Sequence, residues 1–251
     1  MSALLETIDL SVSFGGLRAV DRVSLQVGRG ELVGLIGPNG AGKTTLIDAV
    51  SGFVPATGRI VFDGHELSEL PPHRRAALGL GRTWQSLELF DDLTVDENLL
   101  VATERPGLGS FLLDLVAPRR GRPRDGVDYA LDVLGLRDLA DRMPNELSQG
   151  QRKLVSAARA LAARPSLVCM DEPAAGLDTN ESVELGRRLR DIVSAGTSVL
   201  LVDHDMGLVL GVCDRVYVIE FGRVIASGTP AEIQRDPAVI NAYLGSSGGT
   251  T

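Results

Sequence analysis

The chain has 251 residues and a net charge of −8, with hydrophobic residues at 44% and charged residues at 23%. This length suffices for a large buried core in one or two domains, and the composition is typical of a globular protein rather than a disordered or fibrous one. The acidic charge argues against a basic nucleic-acid binder, and the sequence predicts neither a bilayer-spanning segment nor a secretory leader. Cys169 and Cys213 lie in apolar runs, so we expect a reducing compartment and no disulfide framework.

The first part of the chain predicts two kinds of strand. Residues 4–27 alternate apolar and polar side chains in short pieces separated by glycines, which is typical of antiparallel strands. Residues 32–36 are continuously apolar, as in a strand buried on both faces, and helical periodicity follows over 43–50. A further strand is predicted at 58–62, and from about 72 to 163 the pattern is mostly helix and loop.

Predicted strands and helices alternate after residue 165. The strands are expected at 167–170, 198–202 and 215–220, and the helices at 181–194 and about 206–212. This alternation predicts a mostly parallel sheet with helices on both faces. The sequence has no repeat of 20–50 residues and no heptad run, which excludes solenoids and long coiled coils.

Residues 104–126 form the least regular stretch, rich in glycine and proline, with four arginines between 119 and 124. A solvated surface loop is the simpler interpretation. The apolar residues at 111–113 and 115–116 leave open a second interpretation, in which this stretch docks a partner.

The segment Gly37–Thr44 has the P-loop pattern G-x-x-x-x-G-K-[ST], between a predicted buried strand and a predicted helix. Its glycines allow successive backbone amides to point at phosphate oxygens, and the helix N-terminus adds a partial positive charge. Lys43 supplies a full charge near the β- and γ-phosphates, and the Thr44 hydroxyl can ligate Mg²⁺. The predicted nucleotide-binding residues of this segment are Gly37, Pro38, Asn39, Gly40, Ala41, Gly42, Lys43, Thr44 and Thr45.

The apolar strand predicted at 167–170 ends in two carboxylates, Asp171 and Glu172. In a P-loop sheet, Asp171 is placed to hold Mg²⁺ directly or through water. Glu172 then faces the γ-phosphate, where it can orient or deprotonate the attacking water. The alternative, a strand that ends in two solvated acids, is disfavoured by the neighbouring P-loop.

The segment Leu147–Gln151, Leu-Ser-Gln-Gly-Gln, opens a predicted helical run over 152–163. A serine and a glycine at a helix start offer a hydroxyl and backbone amides, which suits either a plain helix cap or an anion site. The P-loop, this segment and Asp171-Glu172 follow one another in the order and spacing of a known family. Over nearly its whole length, the chain resembles the ATP-binding subunits of ABC transporters.

The resemblance implies an α/β fold with a P-loop NTPase (RecA-like) core and a mostly parallel sheet. An N-terminal antiparallel β-subdomain and an α-helical signature subdomain are expected beside this core. We expect a single ABC ATPase domain over 1–251. The core and β-subdomain would take 1–85 and 164–251, and the helical subdomain 86–163, with the irregular insertion at about 104–126.

The resemblance also implies roles for four residues outside these motifs. Gln85 looks like the Q-loop glutamine, which contacts Mg²⁺ and couples to the membrane subunit, and His204 is similar to the switch histidine at the γ-phosphate. Asp178 is similar to the D-loop aspartate, and Phe14 lies where the family has an adenine-stacking aromatic. Taken alone, Phe14 would be interpreted as a core residue and His204 as a structural one.

The expected catalytic residues are therefore Glu172, His204 and Gln85, and the expected Mg²⁺ ligands are Thr44, Gln85 and Asp171. In the family, the signature segment of one subunit closes over the nucleotide of another. The residues expected to act in this way, in trans, are Leu147, Ser148, Gln149, Gly150 and Gln151. Gln149 departs from the family, which commonly has glycine at that position, and Trp84 stands where phenylalanine is frequent.

Four segments resemble the branched-chain (hydrophobic) amino-acid importer subfamily: 14–20, 171–177, 204–206 and 228–245. This resemblance implies an ATP-hydrolysing motor that uses ATP and Mg²⁺ at the cytoplasmic face of the membrane, bound to permease subunits. The other expected partners are a second ATPase subunit, either a copy or a paralogue, and indirectly a solute-binding protein; nucleic acid is not expected. The alternatives are an importer of another solute, an exporter or, less favoured, a soluble ABC ATPase that acts on DNA or ribosomes.

Overall fold

The computed structural model of the protein describes residues 3–84, 89–103 and 124–245. The chain forms two compact units, one of residues 1–85 and 165–251 and the other of residues 86–164. Gln85 and all but the last three residues of the irregular stretch lie outside the described residues. None of the described helices is both long enough and apolar enough to cross a membrane.

The strands, in chain order, are β1 (Leu5–Phe14), β2 (Leu17–Val27), β3 (Leu32–Ile36), β4 (Thr57–Phe62), β5 (His65–Glu66), β6 (Leu80–Arg82), β7 (Leu167–Asp171), β8 (Ser198–Val202), β9 (Arg215–Glu220) and β10 (Arg223–Gly228). The helices are α1 (Lys43–Ser51), α2 (Pro72–Ala77), α3 (Val95–Thr103), α4 (Asp125–Leu134), α5 (Gln149–Ala162), α6 (Thr179–Ser194), α7 (Met206–Val212), α8 (Pro230–Ile233) and α9 (Pro237–Gly245). Short 3₁₀ turns lie at 137–139 and 144–146.

Two sheets make up the first unit. One is antiparallel, with strand order β2-β1-β4-β5, and the other has the order β10-β9-β3-β8-β7-β6. In the second sheet every neighbouring pair is parallel except β9 and β10. The prediction of an N-terminal antiparallel subdomain beside a mostly parallel sheet is thereby confirmed.

The central strands β3, β7 and β8 are buried along their whole length. They carry continuous apolar runs because helices cover both faces of a parallel sheet, which leaves no strand face for water. Parallel strands also place their carboxyl ends at one edge. The segments that follow these strands begin at Gly37, Glu172 and Asp203, and such an edge is where ligands bind in α/β sheets.

Two helices begin earlier than periodicity alone predicts, because their caps are polar. Asp178 caps α6, which begins at Thr179 rather than at 181, and Ser148 caps α5, which begins at Gln149 rather than at 152. In the second unit, α5 packs against α3 and α4 and buries Val155, Ala157, Ala158, Leu161 and Ala162. The short edge strand β6 interrupts the predicted run of helix and loop.

Candidate active site

The P-loop wraps around the ammonium group of Lys43. Lys43 is the first residue of α1 and is 5% exposed, and its Nζ donates hydrogen bonds to the carbonyls of Gly37 (2.7 Å) and Pro38 (3.0 Å). The pKa of Lys43 is lowered, chiefly because burial disfavours the charged ammonium group. The nearby carboxylates of Glu172, Asp171 and Asp203 partly offset this shift. The amino group therefore lies inside the loop that its own motif predicts, facing the acids at the ends of β7 and β8.

Gly42 is required by the backbone at the start of α1. Its φ is +102°, and a Cβ at this position would lie 2.3 Å from the carbonyl oxygen of Ala19 in β2. The first intrahelical bond runs from the Leu46 amide to the Gly42 carbonyl. The amides of 43–45 thus precede the helical ladder, and amides in that position are available to an anion.

Gly42→Ala should lower both the thermal stability of the protein and its affinity for ATP. An alanine at positive φ costs about 1–2 kcal/mol, and the collision with Ala19 adds to that strain and pushes the loop away from β2. Gly40→Ala is the matched control, because Gly40 also has positive φ (+79°) but a Cβ there meets no heavy atom within 4 Å. Thermal unfolding and ATP titration of both variants would contradict this reasoning if Gly40→Ala were at least as damaging.

The Thr44 hydroxyl, at the end of the P-loop, and the Asp171 carboxylate offer two oxygens that fit a magnesium ion. The Thr44 hydroxyl is 3.4 Å from Asp171 Oδ1, and burial raises the pKa of Asp171. A cation at this point would favour the ionised carboxylate. The described residues contain no group of three His, Cys, Asp or Glu that could form a metal cage. Mg²⁺ typically binds one or two protein oxygens together with substrate phosphates.

Glu172 directly follows β7 in an uncommon backbone conformation. Its φ is +48°, and its amide donates to the carbonyl of Val202 at the end of β8 (2.7 Å). Non-glycine residues at positive φ cost of order 1–3 kcal/mol and cluster at functional sites. The bend carries the chain out of the sheet immediately after Asp171 and leaves the Glu172 side chain 18% exposed.

His204 lies next to Glu172, at the end of β8. Its Nδ1 is 3.9 Å from Glu172 Oε1 and 3.6 Å from Asp203 Oδ1, and its side chain is 55% exposed. The structure thus brings together two residues that the sequence places 32 positions apart. Asp203, to which no sequence pattern pointed, precedes His204 and is fully buried.

Phe14 lies at the exposed turn between β1 and β2. It pairs with Leu17 and is 51% exposed, so the interpretation as a core residue is wrong. The carbonyl of Ala19, two residues after Leu17, packs against Gly42 of the P-loop. Only a few residues of β2 therefore separate the turn that carries Phe14 from the segment that packs against the P-loop.

Ser148 begins α5 with a reciprocal pair of hydrogen bonds. Its hydroxyl oxygen accepts from the Gln151 amide (3.2 Å), and the Gln151 side chain accepts from the Ser148 amide (2.9 Å). This is a capping box, so the helix-cap interpretation is correct for the fold. The cap uses a lone pair of the oxygen, which leaves the hydroxyl proton able to donate to a phosphate.

Asp178 is also a helix cap. Its carboxylate accepts from the Glu181 amide at the start of α6 (2.9 Å), and the Glu181 side chain accepts from the Asp178 amide (3.2 Å). Its predicted D-loop role remains a prediction. The role in trans predicted for the signature residues also remains a prediction for all five of them: Leu147, Ser148, Gln149, Gly150 and Gln151.

Arg82, at the end of β6, reaches the nucleotide side of the sheet and was not singled out from the sequence. Its guanidinium lies 2.6 Å from Asp48, 3.9 Å from Asp171, and over the ring of Trp84 at 4.4 Å. Trp84 in turn meets Phe53 edge to face at 4.7 Å. No local pattern of residues 80–82 predicts a strand beside β7, so the sequence offers no signal for this arginine.

The sequence profile of the ABC transporter family matches residues 20–175. The chain belongs to the ABC transporter family. Among relatives in this family, the high-affinity branched-chain amino acid transport ATP-binding protein LivG of Salmonella typhimurium is 42% identical over 250 residues, covering 96% of this chain and 98% of LivG. The predicted family and ATP-binding cassette fold are therefore confirmed.

Two further relatives within the ABC family and a second sequence profile are informative. The ADP conformation of the ATP-binding cassette MJ1267 is 32% identical, with a TM-score of 0.86 over 98% of this chain and 100% of MJ1267. The lipopolysaccharide export system ATP-binding protein LptB of Escherichia coli is 39% identical over 97% of this chain and 98% of LptB. A second profile, branched-chain amino acid ATP-binding cassette transporter, matches residues 223–248.

Proposed function

We propose that this ABC protein is the ATP-hydrolysing subunit of an importer for branched-chain or other hydrophobic amino acids. The observation that carries the choice of substrate is the match of residues 223–248 to the branched-chain amino acid profile. Those residues include β10, α8 and α9, which lie outside the region matched by the general family profile. The similarity to LivG over nearly the full length supports the same choice.

The arrangement of side chains supports a direct attack of water on the γ-phosphorus. Lys43 and the amides of the P-loop bind the phosphates, and Glu172 accepts a proton from the attacking water as the bond to the ADP oxygen breaks. His204, close to Glu172, donates to the γ-phosphate. Thr44 and Asp171 would hold Mg²⁺, which would neutralise part of the phosphate charge.

The proposed complex contains other subunits. One chain has a single P-loop and a single signature segment, so two ATPase subunits, either two copies or a copy and a paralogue, would complete two composite sites. Permease subunits would hold the pair at the cytoplasmic face of the membrane, with Gln85 as the proposed coupling residue. A solute-binding protein would deliver the amino acid to the permease without touching this subunit.

An exporter is the second candidate, because LptB, 39% identical, is named for lipopolysaccharide export. The same ATPase chemistry serves transport in both directions, so the residues around Lys43 do not separate the two. The match at 223–248 favours import of branched-chain amino acids.

Transport should be measured on the assembled complex in vesicles. The chain is co-expressed with its permease and partner ATPase subunits, and the solute-binding protein is added on the side opposite to ATP. We expect ATP-dependent uptake of labelled leucine, isoleucine or valine, which Lys43→Ala abolishes because the charge at the phosphates is lost. ATP hydrolysis without amino-acid uptake, but with release of lipid or another solute, would contradict the proposed substrate class.

A further inference from the structure

Asp203 is a buried carboxylate that the proposed mechanism does not use. It is 0% exposed and directly follows β8. Its Oδ1 accepts hydrogen bonds from the amides of His204 (2.8 Å) and Asp205 (3.0 Å). Its Oδ2 accepts from the amide of Ala174 (3.0 Å), 29 positions earlier in the chain.

These hydrogen bonds tie together the two segments that carry the reacting groups. Glu172 is anchored by its own amide to the Val202 carbonyl, and two residues later the Ala174 amide is anchored to Asp203. The backbone is therefore attached to the end of β8 both at and after Glu172. Because Glu172 has positive φ, a conformation of higher energy for a non-glycine residue, it needs such attachments to persist.

We propose that Asp203 is a positioning residue for ATP hydrolysis, which holds the Glu172 carboxylate and the His204 imidazole in one rigid arrangement. This inference rests on the proposed function of Glu172 and His204. Asp203 acts through the backbone of Ala174, through the turn at His204, and through its Oδ1, which lies 3.6 Å from the Nδ1 of His204.

The chemistry of the contacts requires a carboxylate. Three amide donors converge on two oxygens, and both oxygens of a carboxylate accept. An asparagine of the same shape has one accepting oxygen and an amino group that only donates. In either orientation of that side chain, at least one of the three amides faces another donor, and turning the amino group to Ala174 sacrifices the fewest hydrogen bonds.

The test compares Asp203→Asn and Asp203→Glu in the full chain assembled with its transporter subunits. Asparagine keeps the volume and loses an acceptor, whereas glutamate keeps both acceptors and crowds a fully buried position. We expect Asp203→Asn to lower kcat by about 10–100-fold, as misplacement of reacting groups typically does. The Kd for ATP should change by a smaller factor than kcat, because Asp203 makes no described hydrogen bond to the P-loop and reaches Lys43 only through its charge.

Ranking the two variants by kcat and by unfolding midpoint distinguishes a positioning role of Asp203 from a role in folding alone. We expect Asp203→Glu to keep more kcat than Asp203→Asn even where its unfolding midpoint is lower, with both assayed well below that midpoint. A merely structural role predicts that kcat follows the unfolding midpoint. The Ala174 amide should also exchange its hydrogen faster in Asp203→Asn than in the wild type.

Asp214→Asn is the matched control. Asp214 also accepts a backbone amide, that of Leu32 (2.9 Å), but at the amino ends of the strands, opposite the P-loop. It should change stability and leave kcat within about twofold. The positioning role would be overturned, and the proposed function left standing, if Asp203→Asn kept the wild-type kcat or if kcat followed stability across the variants. If the wild-type complex did not hydrolyse ATP, both the positioning role and the proposed function would be overturned.

Discussion

Glu172→Gln should reduce ATP hydrolysis by about 10²–10⁴-fold, the typical effect of losing a general base. Glutamine has nearly the same shape but cannot take a proton from water. The hydrogen bond from the Glu172 amide to Val202 does not involve the side chain, so the bend after β7 should persist. Lys43, Thr44 and Asp171 are unchanged, and we therefore expect ATP to bind with nearly wild-type affinity.

The measurements are the turnover rate in the assembled complex and the Kd for ATP. Glu184→Gln is the matched control, since Glu184 lies on α6 and pairs with Arg187 and Arg188 away from the end of β7. It should turn over within about twofold of the wild type. Near wild-type turnover by Glu172→Gln would show that another group takes the proton.

The phosphate-binding part of the site could be predicted because its chemistry is local in sequence. The P-loop lies in eight consecutive residues, Gly37–Thr44, between a strand and a helix that their own apolar patterns predict. Asp171 and Glu172 likewise end a continuous apolar strand. The parallel sheet followed from the alternation of strands and helices, since this connectivity leaves few other arrangements.

The remainder of the site depends on contacts between distant segments. Asp203 accepts a hydrogen bond from the distant Ala174 amide. Arg82 reaches Asp171 because β6 pairs with β7, and no local pattern of residues 80–82 predicts that pairing. Burial of Asp203 follows from the order of strands in the folded sheet. The exposed position of Phe14 also could not be predicted from local sequence, because an aromatic residue in an alternating strand usually indicates a core position.

The second large effect concerns assembly of the site from two chains. If Ser148 of one subunit acts on the nucleotide bound at Lys43 of another, neither Lys43→Ala nor Ser148→Ala alone should support turnover in a dimer of identical chains. A mixed dimer has one composite site with both lesions and one site with neither. It should therefore regain up to about half of the wild-type rate per dimer if the two sites work independently.

The cap at α5 requires a control, because Ser148→Ala also removes an N-cap acceptor, which costs about 0.5–2 kcal/mol. Ser148→Thr keeps both the cap and a hydroxyl proton and should retain turnover. The mixed dimer remains informative even if Ser148→Ala is inactive because α5 frays. Under trans assembly the frayed helix faces the site that already carries Lys43→Ala, and the other site stays intact. Recovery of activity in the mixture is therefore the informative result.

The mixed dimers are isolated with two different affinity tags, one on each variant, so that parental dimers do not contribute to the measured rate. Assembly within one chain would leave one lesion in each site and give no recovery. Should both sites have to be intact for turnover, the rate would also stay low, but one ATP per mixed dimer would be occluded at the site without lesions. Mixed dimers with neither activity nor an occluded nucleotide would rule out action of Ser148 in trans.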